Sequence, residues 1–160
     1  MRKKTMEIPY HCQEKRCNEF FSLFARFEYA MKAVGFRRKT NGRIQLLWND
    51  MADSVKECLI DKNNTDLQSA ISYILSHPPM REDLVKDELK WVEAKANRGD
   101  EKYDLFVYIC RVRNNLFHGG KYKGKYLSDP ERSLELIEHC STVLNACLEA
   151  NDDLNEAYSQ

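Results

Sequence analysis

Apolar side chains recur along this chain at steps of three and four, the period of a helix that buries one face. Phe20, Phe24, Phe27, Met31 and Val34 form the first such stripe. It predicts a helix over about 15–34, stopped by Gly35 with Phe36 packing back over its end. After a basic turn at Arg37-Arg38-Lys39, a second stripe of Ile44, Leu47, Trp48, Met51, Val55 and Leu59 predicts a helix over about 44–60. Thr65 can cap a shorter helix reaching residue 75, which buries Leu67, Ile71, Ile74 and Leu75 before Pro78-Pro79 ends it. Leu84, Val85, Leu89 and Val92 predict a further helix over 82–96, followed by a turn at Asn97-Arg98-Gly99-Asp100. A helix over about 102–118 comes next. The last helix starts at Asp129 as cap, with Pro130 in its first turn. Leu134, Ile137, Leu144 and Leu148 line one side of it, with Leu136, Cys140, Val143 and Cys147 beside them. No stretch reads as a strand. The expected fold class is all-α, a helical bundle of four long helices plus one or two short helices. Residues 1–14 read as a flexible arm, 15–150 as the helical domain and 151–160 as an acidic tail that frays.

The helix over 102–118 is unusual. At 100° per residue, Leu105, Ile109, Val112 and Leu116 fall on one apolar face. Phe106, Cys110 and Phe117, with Tyr103 and Val107 nearby, fall on a second. Only Asp104, Tyr108, Arg111 and Asn115 form a wet strip. A helix apolar over most of its circumference must be covered on two sides, and a second copy of the protein is the favoured cover for the second side.

Composition changes little in this picture. The chain has 160 residues, which suits one domain with one core. Its 25 basic residues cancel its 25 acidic ones, which argues against coating DNA or membrane through bulk charge but allows local basic patches. No stretch approaches the roughly 20 apolar residues that span a bilayer, and no apolar run follows the basic Met1-Arg2-Lys3-Lys4. The expected location is cytoplasmic. There Cys58, Cys110, Cys140 and Cys147 behave as small apolar residues, and the six cysteines do not imply a disulfide framework. No cofactor is expected: His11-Cys12, Cys17 and His139-Cys140 lack paired metal-ligand spacing. Trp48 and Trp91 read as core or interface residues.

The candidate chemistry is concentrated in Arg113-Asn114-Asn115-Leu116-Phe117-His118, followed by Gly119-Gly120. A permanent cation near a group that titrates close to neutrality is minimal equipment for breaking a phosphodiester. Arg113 falls between the two apolar faces and needs an anion. Glu28, which interrupts the first helix's apolar stripe, is the candidate partner; a substrate phosphate is the other. Arg113 and His118 stand about 140° apart on an ideal helix, so a two-fold axis pairing two chains is a reasonable way to gather them. The loop Lys121-Tyr122-Lys123-Gly124-Lys125-Tyr126 alternates cations that can hold phosphates with rings that can stack on unpaired bases. The plainer reading makes His118 a helix-end residue, Arg113 an ion-pair member and the loop a solvated surface.

The string Arg113 to His118 resembles the Arg-x4-6-His motif of the HEPN superfamily, with Asn114 matching the polar residue that commonly follows the arginine. The stretch Arg26-Phe27-Glu28-Tyr29-Ala30-Met31-Lys32 with Gly35-Phe36 is similar to the first helix of several small HEPN families. The resemblance implies a metal-independent endoribonuclease of toxin–antitoxin, phage-defence or RNA-processing type, working as a homodimer with the paired motifs at the interface. Arg113 would stabilise the scissile phosphate, His118 would act as general acid or base, Asn114 would position the phosphate or the histidine, and the ribose 2′-OH would attack. An antitoxin or regulatory protein is a possible partner. The alternative is a non-catalytic HEPN-like module for dimerisation or for binding a partner or nucleotide.

Overall fold

The computed structural model describes the backbone of residues 10–116 and 130–160, with side chains over 14–116 and 132–160. Its elements run α1 (Tyr10–Val34), β1 (Arg37–Thr40), β2 (Arg43–Leu46), α2 (Trp48–Ser54), α3 (Lys56–Leu59), α4 (Thr65–Ser76), β3 (Arg81–Val85), β4 (Glu88–Val92), α5 (Glu101–Asn115), α6 (Pro130–Ala150) and α7 (Asp152–Ser159). The molecule is mostly helical, but the all-α expectation is overturned by two antiparallel hairpins, β1–β2 and β3–β4.

The first hairpin replaces the expected basic turn and the start of the second helix. Asn41 and Gly42 both have positive φ, 51° and 74°. That is the geometry of a two-residue hairpin turn, which Asn-Gly adopts readily. The ladder pairs Arg37 with Leu46 through Thr40 with Arg43, and Leu47 N–H donates to the Phe36 carbonyl at 3.0 Å to close its base. The second hairpin replaces the helix expected over 82–96. Lys86 and Asp87 make its turn with φ of 52° and 63°. In this register Leu84 pairs with Leu89 and Glu82 with Trp91. The spacing that mimicked a helical stripe is therefore a cross-strand pairing.

Other expectations match. α1 ends at Gly35, whose φ is 102°, and Phe36 N–H donates to the Met31 carbonyl at 2.9 Å, the fold-back that a glycine stop permits. Phe20, Phe24, Phe27 and Met31 of α1 are buried, as are Leu67 and Ile74 of α4 and Leu134, Ile137, Val143 and Leu144 of α6. α6 packs on α1 and α4, while α5 packs on α2 and α4. Trp48 is stacked between Phe27 and Phe106, each ring 5.8 Å away, which ties α1, α2 and α5 together.

The tail does not fray. Asn151 caps α7 by accepting from Leu154 N–H at 3.0 Å, and Leu154 and Ala157 are buried. α7 packs on α1, where Arg26 lies over the Tyr158 ring and donates to the Tyr158 carbonyl at 2.7 Å. No helix among the described residues is long and apolar enough to cross a membrane.

Candidate functional site

α5 begins at Asp100, whose carboxylate accepts from Lys102 N–H at 2.9 Å. A side-chain bond from the Lys102 ammonium, and after it this capping bond, hold the Asp100 carboxyl below the usual carboxylate range. Leu105, Ile109, Val112 and Leu116 are all buried on the first expected face.

The expected wet strip is not wet. Tyr108 and Asn115 are buried. Tyr108 Oη accepts from Ala96 N–H at 2.9 Å, and Asn115 Nδ2 donates to the Met80 carbonyl at 2.7 Å. Arg111 donates to the carbonyls of Pro79 and Ala94. Three polar residues of α5 thus satisfy the backbone of the segment that carries the second hairpin, as buried polar groups require. Cover for the second apolar face also comes from within the chain. Phe106 is closed off by Trp48, while Tyr103, Val107, Cys110 and Asn114 form one wall of a cavity faced by Trp91 of β4. On the apolar face that pointed to a second copy, Phe106 is thereby covered from within the chain, while Tyr103, Val107 and Cys110 border the open cavity.

Arg113 and Asn114 stand at the C-terminal end of α5. Arg113 is half-buried rather than enclosed, with 32% of its side chain exposed. One of its terminal nitrogens donates to Asn114 Oδ1 at 2.9 Å. The other lies 3.9 Å from Glu28 Oε1, and the guanidinium carbon sits 5.6 Å above the centre of the Phe24 ring. The structure thus brings together three sequence-predicted residues: Glu28, Arg113 and Asn114. The Glu28 contact is long and partly solvated, so it orients the guanidinium while costing little to exchange for another anion.

His118 and the loop residues Lys121, Tyr122, Lys123, Lys125 and Tyr126 lie outside the described residues, as do Phe117, the Gly119-Gly120 stop and the Asp129 cap.

A protein thiol is a poor nucleophile here. Enclosure pushes the Cys110 thiol up to about 12, with the Glu28 charge adding to the rise and Arg113 opposing it. Burial likewise raises Cys140 and Cys147. Among the described residues, no three His, Cys, Asp or Glu side chains gather as metal ligands. His77 is the C-cap of α4 and stacks on Tyr73 at 4.2 Å.

The cavity beside this cluster was missed in the sequence. Its volume is about 530 Å³. Trp48, Trp91, Tyr103 and Phe106 supply aromatic surface, Arg98 and Arg111 positive charge, and Asn114 joins it to Arg113. Only the two tryptophans signalled it, and both read more simply as packing residues.

No family model, curated protein or solved structure matches this chain.

Glu28→Gln provides a local check. Stability is expected to change by less than about 1 kcal/mol, because the pair is partly solvated. Urea denaturation measures the effect.

Proposed function

We propose that this chain is a metal-independent endoribonuclease of toxin or phage-defence type, with Arg113 and His118 forming a composite site between the two subunits of a homodimer. The observation that carries the reading is the placement of Arg113: a half-exposed guanidinium at the end of a buried helix, held by Asn114 at 2.9 Å and faced by Glu28 from α1 at 3.9 Å. A cation fixed in this way can receive a phosphate without first being organised, and pre-organised charge is what phosphoryl chemistry exploits most. Arg113 stabilises the negative charge that grows on the phosphate. The ribose 2′-oxygen bonds to phosphorus as the bond to the 5′-oxygen breaks. His118 moves one of the two protons involved, either from the 2′-OH or to the leaving 5′-oxygen. The products are a 2′,3′-cyclic phosphate and a 5′-hydroxyl, so the substrate itself supplies the nucleophile.

Two further features support an RNA partner and a cytoplasmic site of action. Arg37, Arg38, Lys39 and Arg43 are all exposed on the β1–β2 hairpin, a local basic ribbon within a chain of zero net charge. Cys58, Cys110, Cys140 and Cys147 are free thiols, in keeping with a reducing compartment.

One observation favours the second reading, a non-catalytic module that docks a partner. Leu84 and Leu89, a cross-strand pair, are 63% and 70% exposed. An antitoxin or regulatory protein could cover them in either case. Incubating the purified protein with single-stranded RNA in EDTA decides between the readings: the nuclease reading expects fragments, and a folded protein that leaves every RNA intact overturns it. Light scattering tests the composite site. A dimer at micromolar concentration is expected, and an active monomer would remove the shared cleft.

A further inference from the structure

We propose that the β1–β2 hairpin is a docking ribbon for the backbone of base-paired RNA, holding two rows of phosphates with Arg37, Arg38, Lys39 and Arg43 irrespective of base sequence. This rests on the nuclease reading only in taking the nucleic acid to be RNA; the phosphate chemistry is derived from the ribbon itself.

The hairpin contributes little to the core. In its two strands every residue but Leu46 is exposed. A lone two-stranded hairpin is marginal in water, so this one depends on its root. There Phe36 N–H donates to the Met31 carbonyl, Leu47 N–H donates to the Phe36 carbonyl, and Trp48 is stacked between Phe27 and Phe106. A ribbon fixed at its root and bare on both faces is arranged to meet something outside its own chain.

Its charge has one sign. No Asp or Glu occurs over residues 29–49, a stretch that holds Lys32, Arg37, Arg38, Lys39 and Arg43. Among the described residues, none of the four hairpin cations is paired with a carboxylate. Arg38 Nε donates to Gln45 Oε1 at 2.8 Å, a neutral acceptor that orients the guanidinium and leaves its charge in place. Uncompensated cations side by side repel one another, and a polyanion relieves that repulsion.

The register narrows the kind of polyanion. Cross-strand partners share a face of the ribbon. Arg38 pairs with Gln45 and Thr40 with Arg43, which puts Arg38 and Arg43 on one face; Arg37 pairs with Leu46 and Lys39 with Ile44, which puts Arg37 and Lys39 on the other. Each face carries two cations about 7 Å apart at the backbone. Two rows of positive charge suit two rows of phosphates, the walls on either side of a duplex groove, and a two-stranded ribbon is slim enough to lie in such a groove. A single strand offers one row. The hairpin also carries no aromatic side chain on which an unpaired base could stack. Ile44, 64% exposed, is its one exposed apolar residue, whereas seating in a lipid surface takes a whole apolar face.

The ribbon stands at the same end of α1 as the proposed cut. Beyond Glu28, which faces Arg113, α1 continues only to Val34, about 9 Å of helix, before the chain turns at Gly35 into β1. A stem seated on the ribbon leaves its flanking strand on the Arg113 side of the molecule.

Fluorescence anisotropy of labelled 2′-O-methyl RNA with the intact protein tests this, because such RNA has no 2′-hydroxyl to attack and reports docking without cleavage. A duplex is expected to bind at least about tenfold tighter than a single strand of the same length, whatever its sequence. The double variant Lys39→Gln, Arg43→Gln alters two exposed positions. It is expected to weaken the duplex about tenfold or more and to lower the slope of log affinity against log salt by about two, with an unchanged melting temperature. An unchanged slope in the double variant, or a single strand bound as tightly as the duplex, overturns the assignment. Tighter binding of a DNA duplex, of polyglutamate or of anionic phospholipid vesicles would also overturn it. Cleavage of ordinary RNA in EDTA is scored separately: duplex docking without cleavage refutes the nuclease reading and leaves the ribbon, and cleavage without duplex preference refutes the ribbon and leaves the nuclease reading.

Discussion

Arg113→Ala is expected to lower RNA cleavage by about two to three orders of magnitude, the usual effect of removing one donor that stabilises developing charge. His118→Ala is expected to cost about two to four orders, the range for a general acid or base. The fold should survive the first change. Its contacts include Asn114 Oδ1 at 2.9 Å, Glu28 at 3.9 Å and the Phe24 ring at 5.6 Å. Partly exposed ion pairs and cation–π contacts of this kind each contribute about 1 kcal/mol or less. Unchanged circular dichroism with lost cleavage therefore separates a chemical role from a structural one. Lys at position 113 should not restore the rate, because a single ammonium cannot hold Asn114 and a phosphate in the planar fork that a guanidinium offers. Cleavage that survives both alanine substitutions would exclude this site.

The second large effect is expected at the far end of the chain. Leu154→Ala should destabilise the protein by about 2–5 kcal/mol, a substantial part of the 5–15 kcal/mol that typically separates folded from unfolded domains. Leu154 is fully buried, and α7 packs on α1, the helix that carries Glu28. The denaturation midpoint should fall with little change in the slope against urea, as a loss of packing without a change in the unfolding unit requires. A loss below about 1 kcal/mol would mean that residues 152–159 are an appendage and not part of the core.

These two sites illustrate what the sequence disclosed and what it did not. α1, α4, α5 and α6 were legible because each repeats large apolar residues at helical spacing over three or more turns. The Glu28–Arg113 proximity was legible for a related reason: a carboxylate on the apolar stripe of α1 needs a cation, and Arg113 was the misfit on α5. α7 escaped notice because its buried stripe is only Leu154 and Ala157, too little apolar surface to stand out among acidic residues. The first hairpin carried a clear signal in Asn41-Gly42, overridden by the helical spacing of Ile44, Leu47, Trp48 and Met51. The second had none, because its turn is Lys86-Asp87, without a glycine.

The strip of Tyr108, Arg111 and Asn115 failed for a deeper reason. Polar side chains on a helix look solvated unless the backbone groups they satisfy are known. Those groups lie at Pro79, Met80, Ala94 and Ala96, in a segment whose conformation was itself misread. The cavity depends on the same contact. It exists only because the segment over 79–98 is fastened along α5, so no local pattern could announce it.

The most direct measurement of the central claim is mass spectrometry of the ends left on RNA by the wild-type protein in EDTA. Fragments ending in a 2′,3′-cyclic phosphate, with 5′-hydroxyl partners, are the predicted result, since the attacking oxygen is the substrate's own. Fragments carrying 5′-phosphates, or cleavage of an RNA whose 2′-hydroxyl at the cut is replaced by hydrogen, would contradict it.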